Sequence, residues 1–135
     1  MKTATTVASM LVRLTGLIQI VLGILFWTGN AINLISLHIL SGTVLVLSLW
    51  TLAILARRSG LRAGVVALSM ILGLITLALG LVQSDLLVNS SHWIIQVVHL
   101  LLGLSAIGLA EGLAARIKHD RMPEKTLTGQ PERTD

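Results

Sequence analysis

Two histidines carry most of the chemical potential of this chain. Residues 37–42 read LHILSG and residues 98–103 read VHLLLG, so His38 and His99 each stand four residues before a glycine, Gly42 and Gly103. An imidazole can ligate a metal, carry a proton or hold a hydrogen bond. In hydrocarbon surroundings an ionisable side chain is costly, and its presence points to one of those uses. Two imidazoles at one place could take a single metal ion from opposite sides. His92 lies seven residues before His99, on the same helical face and about 10 Å away along the axis, with Gln96 between them.

The elements that must position these side chains follow from composition. Of 135 residues, 54% are hydrophobic and 12% charged, and the mean hydropathy is +0.88. That leaves too little polar material to cover a water-soluble globule, so the chain reads as an integral membrane protein. With no cysteine, disulfides, thiolate metal sites and thioether-attached c-type haem are excluded. The net charge of +4 is carried by residues beside apolar segments, which is not the pattern of a nucleic-acid surface.

Four apolar segments are long enough to cross a hydrocarbon core of about 30 Å as helices: about 7–27, 32–56, 61–82 and 93–115. Arg13 and Gln19 interrupt the first, and no A-x-A site follows it, so it reads as a structural span rather than a signal peptide. Basic residues gather at one end: Lys2 and Arg13, then Arg57, Arg58 and Arg62, then Arg116, Lys118 and Arg121. The connections 28–31 and 83–91 contain no Lys or Arg. The positive-inside rule therefore predicts cytoplasmic termini, in a bacterial or archaeal plasma membrane, with Trp27 and Trp93 at the outer interface. Residues 1–119 form the expected transmembrane domain. Residues 120–135 (DRMPEKTLTGQPERTD) are polar, contain both prolines and read as a disordered tail.

The chain also repeats itself. Residues 16–23 (GLIQIVLG) match residues 73–80 (GLITLALG), aligning Gly16 with Gly73 and Gly23 with Gly80 at a shift of 57. At a shift of 61, His38 falls on His99, Gly42 on Gly103 and Arg57 on Lys118. The predicted fold is an all-α, up-down four-helix membrane bundle built from two tandem helical hairpins, related by an axis along the membrane normal. His38 and His99 each precede their basic partner, Arg57 or Lys118, by 19 residues, or about 28 Å of helix. They therefore share a depth and face each other on diagonal helices. That geometry suits the axial ligands of one flat cofactor, a b-type haem. In this reading Gly42 and Gly103 make room beside each ligand, while Gly16, Gly23, Gly73 and Gly80 let the first and third helices close on the macrocycle. Small residues that simply let helices pack are the other reading of the glycines. His92 and Gln96, with Asn30 and Asn33, form an outer polar mouth for haem propionates or a quinone head group, unless His92 is only an interfacial histidine beside Trp93. Arg13 and Glu111 lie at comparable depth and are expected to form a structural ion pair; His119 is expected to be solvated in the tail.

Two histidines on diagonal helices of a four-helix membrane bundle resemble the b-type cytochromes. The arrangement is also similar to one four-helix half of heme A synthase, and LIQIVLGILFWTG resembles that family's glutamine-containing helix segments. The resemblance covers roughly residues 10–117. It implies haem b, one per chain, held by His38 and His99, and one-electron transfer with a quinone or a redox partner protein. Heme A synthase places a glutamate about one turn before a ligand histidine. Here Asn33–Leu37 precede His38, and Gln96, Val97 and Val98 precede His99, with no acid among them. Three functions follow: a bis-histidine cytochrome; a haem-modifying enzyme of the heme A synthase type; and a non-haem interaction or assembly subunit whose histidines are merely packed. Besides the lipid bilayer, the candidate partners include a second copy of the chain in a homo-oligomer.

Overall fold

The computed structural model describes residues 2–86 and 90–119. Four helices make up the fold: α1 (Lys2–Trp27), α2 (Ile35–Arg58), α3 (Ala63–Val82) and α4 (His92–His119). Short 3-10 turns at Ile32–Leu34 and Gln83–Asp85 precede α2 and follow α3. All four helices are long and apolar enough to cross a membrane. Their backbone groups are satisfied within each helix, as hydrocarbon surroundings demand. Most serine and threonine hydroxyls do the same locally. Thr15, Ser48, Ser69, Thr76 and Ser105 each donate to the carbonyl four residues earlier.

Helix ends are set by glycine and charge. Gly29 (φ +75°) closes α1, where the Asn30 amide donates to the Leu25 carbonyl at 2.8 Å. Gly60 (φ +92°) closes α2 in the same way, with Leu61 donating to Ala56 at 3.1 Å. A left-handed residue here returns the chain to satisfy the last carbonyls, and glycine adopts it without a side-chain clash. Arg57 and Arg58 end α2, and Arg116, Lys118 and His119 end α4, where cations oppose the negative end of the helix dipole.

The largest departures from the apolar windows are at two boundaries. α1 begins at Lys2 rather than at residue 7, and α4 continues to His119 rather than stopping at residue 115. Polar residues that propagate a helix extend it beyond the stretch that hydropathy marks. His119 is thus the last residue of α4 and not part of the tail; the expected tail, 120–135, lies outside the described residues.

α2 and α4 each pack against all three other helices, so the expected diagonal is in contact across the centre. The buried core lies toward the basic end and carries the repeat. Buried positions pair at the shift of 61: Leu45 with Ala106, Leu49 with Ala110, Leu52 with Leu113, Ala53 with Ala114, and Ala56 with Ile117. On the outer helices Val12 and Ser69, related by the shift of 57, are both fully buried. Inter-helix contacts obey the same relation. A side chain at Gly16 of α1 would meet Ile107 of α4 at 3.0 Å, and one at Gly73 of α3 would meet Val46 of α2 at 3.1 Å. Ile107 and Val46 are themselves 61 residues apart. The two hairpins are thus related by an approximate two-fold axis.

Candidate functional site: a histidine pair between α2 and α4

His38 lies in the first turn of α2 and His99 in the second turn of α4. Because these helices run in the same direction and touch, equal distances from the basic end bring the two rings together. Their centroids are 6.3 Å apart and their planes inclined at 52°. Both rings are half-buried, and the Nδ1 atoms of both are buried with no hydrogen-bond partner. A buried polar atom normally has a partner, and leaving one without costs on the order of 1–3 kcal/mol. The site spends two such atoms within one contact. Phe26 of α1 covers the other side of His38, edge-on with centroids 5.3 Å apart.

The surroundings of the two rings differ. On the first side Gln19 of α1 reaches across to α2. Its Nε2 donates to the His38 carbonyl at 2.6 Å and to the Ser41 hydroxyl at 2.7 Å; the hydroxyl in turn donates to the Leu37 carbonyl at 2.7 Å. This network fixes the backbone that carries His38. On the second side Thr76 occupies the place matching Gln19 and bonds within its own helix, to the Leu72 carbonyl. His99 is held by shape instead. A Cβ at Gly80 of α3 would stand 2.9 Å from His99 Cε1, so the missing side chain is the socket for the ring.

The other glycines divide into filled and open positions. Gly16 receives Ile107, and Gly73 receives the Trp50 indole, whose Nε1 would lie 2.6 Å from an added Cβ. These two close the bundle away from the histidines and serve helix packing. Gly42 receives the Gln19 carboxamide, 3.2 Å from an added Cβ. Gly23 and Gly103 face open space, with nothing within 4 Å.

His92 and Gln96 line the same face of α4 beyond His99, both half-buried. His92 Nδ1 is 3.0 Å from the Leu86 carbonyl, which ties the start of α4 to the preceding connection. Asn33 sits exposed in the turn before α2. Asn30 is also exposed and donates to the Thr28 carbonyl and hydroxyl. Arg13 and Glu111 form the expected ion pair, bidentate, with Nε to Oε1 and Nη2 to Oε2 both at 2.8 Å.

The donor set can be tested against a ligand. Among the described residues no group of three or more His, Cys, Asp or Glu is gathered, so a zinc-type protein cage is not assembled. Two imidazoles that bind one metal ion from opposite sides, at about 2 Å from metal to nitrogen, place their ring centroids roughly 6 Å apart. The 6.3 Å pair meets that requirement. The Gln19–Ser41 contribution was not legible as a site, since it depends on which way α1 faces; a carboxamide within an apolar span was its one signal. No family model, curated protein or solved structure matches the chain.

Proposed function

We propose that this chain is a membrane b-type cytochrome, with His38 and His99 as the two axial ligands of one haem b and with both termini cytoplasmic. The observation that carries the reading is the facing histidine pair, with ring centroids 6.3 Å apart and two buried Nδ1 atoms lacking partners. Haem ligated by two histidines supplies one-electron transfer and leaves no open iron position for a substrate.

The protein's own part is placement. Gln19 and Ser41 hold the α2 backbone at His38, and the socket at Gly80 holds the His99 ring. Of the six aligned glycines, Gly23 and Gly103 are the two that leave open space, and they give a flat ligand room in this reading. Apolar helix surface around the pair excludes water and lowers the local dielectric, which favours a cofactor that changes its charge by one electron over hydrolytic chemistry. Half-buried His92 and Gln96 supply polar groups on α4 between His99 and the end that the positive-inside rule places outside, where a quinone or a redox partner would approach.

The test is the visible spectrum of the purified protein, reduced minus oxidised. Sharp low-spin bands, one haem per chain, are expected. A protein that is folded, inserted and free of haem after expression with ample haem supply refutes the reading and leaves a packed histidine pair in an assembly subunit. Recovery of a chemically altered haem from the chain would move the assignment to haem modification.

A further inference from the structure

We infer that the α1/α4 face is the contact between two copies of this chain, closed by Arg13 and Glu111 of each copy. This is independent of the haem assignment.

The argument begins with the ion pair's surroundings. Glu111 lies seven residues, about 10 Å, inside the level of Lys118, and Arg13 pairs with it from the middle of α1. The pair is therefore within the apolar spans. Yet the Arg13 side chain is 62% exposed and that of Glu111 35%. A guanidinium has five N–H donors, and Glu111 engages two of them. Lipid tails can satisfy none of the rest, and charged groups within spans normally face protein or water.

The repeat supplies an internal comparison. At the shifts of 57 and 61, Arg13 corresponds to Met70 and Glu111 to Trp50. Those two residues also meet, through Trp50 Nε1 donating to the Met70 carbonyl at 3.3 Å. There the contact between outer and inner helix is made without charge, beside a cleft of about 350 Å³ lined by Trp50, Met70, Ile71 and Leu74. Joining the helices at this level does not require an ion pair. The charged version faces outward on one side of the molecule only.

Charge complementarity selects the occupant. A second copy inserted in the same orientation carries the same pair at the same depth. A two-fold contact presents one patch to itself, so Arg13 of each copy meets Glu111 of the other. The four charges alternate and cancel. The adjoining surface of α4 permits the approach. Ser105, Gly108 and Gly112 lie on one exposed face, and a Cβ at either glycine would meet nothing within 4 Å. Small residues at such spacing let helix backbones come close in lipid.

The test uses the full chain in neutral phosphatidylcholine vesicles. The protein has no cysteine, so single-cysteine variants report proximity cleanly. Ser105→Cys on α4 should cross-link copies efficiently, and Leu68→Cys on α3 should not. Energy transfer between labelled copies should show association weakened about tenfold or more by Arg13→Glu or by Glu111→Arg, each of which sets like charges against each other. Mixing those two variants should restore association, because each supplies the charge the other lacks. Monomeric wild-type chain, cross-linking through Leu68→Cys instead of Ser105→Cys, or charge variants that associate like wild type would each overturn the inference. Association that appears only with anionic lipid would assign the Arg13 donors to lipid phosphate and overturn it equally.

Discussion

The two ends of the bundle are built on opposite rules. Toward the basic end the core is dry, aliphatic and nearly symmetric, with Leu49, Leu52 and Ile117 fully buried and Leu113 at 1% exposure. Toward the other end the central contact is a pair of half-buried imidazoles with unpartnered nitrogen atoms. The symmetry also weakens there: a carboxamide network holds His38, whereas a glycine socket holds His99. One end holds the helices together and the other end is kept available. A fold that needed the histidines for packing would have partnered their nitrogens; a fold that needed the clustered core residues for chemistry would not have made them leucine, alanine, valine and isoleucine.

Mutations at the two ends should have separable effects. The largest effect should come from His38→Ala or His99→Ala. Either removes one of the two proposed axial ligands, so the low-spin haem spectrum expected of the wild-type chain should vanish while helix content stays native. Unfolding caused by either change would make the pair a packing element and erase the distinction between the ends. Next, Leu49→Ala should leave the spectrum intact and destabilise the bundle. Transfer between core and lipid contributes little, so the cavity is the main loss, about 1–3 kcal/mol, read by denaturation from detergent or bilayer. Loss of haem without loss of stability would contradict it. Gln19→Leu should act more weakly, at about 1 kcal/mol or less, because inter-helix hydrogen bonds in membranes average about 0.6 kcal/mol. Its signature is a shifted reduction potential or broadened bands with full haem occupancy, which a purely structural role would not produce. The smallest effect belongs to His92→Ala. The spectrum should be nearly unchanged, since His92 is tied to the Leu86 carbonyl rather than to the ring pair.

Much of this plan could be read from the residues. The shift of 61 placed His38 opposite His99, and the same shift relates Leu52–Ala53 to Leu113–Ala114 in the buried core. Depth counted from the basic residues brought Arg13 to Glu111. Both inferences use only helical rise and repetition, which are properties of a single chain direction. What escaped depends on how helices are rotated about their own axes. Gly16 and Gly73 share the repeat with Gly23 and Gly80, yet the first pair is filled by Ile107 and Trp50 while Gly80 holds a histidine and Gly23 faces open space. Leucine-rich spans give a weak amphipathic signal, so that rotation is poorly encoded in hydropathy. The reach of Gln19 to Ser41 escaped for the same reason.

The uneven core has a kinetic consequence. Local opening is easiest where buried apolar contacts are few, and slowest where they are dense. Segments 45–56 and 106–117 should therefore exchange their amide hydrogens last, and the helix ends around residues 28–38 and 90–96 first. A rigid planar guest could then be admitted through transient separation of the helix ends near Phe26 and His92, with the leucine–alanine clamp at the far end keeping the four helices in register. Loading the site would proceed at the rate of partial opening and would not wait for the whole bundle to come apart.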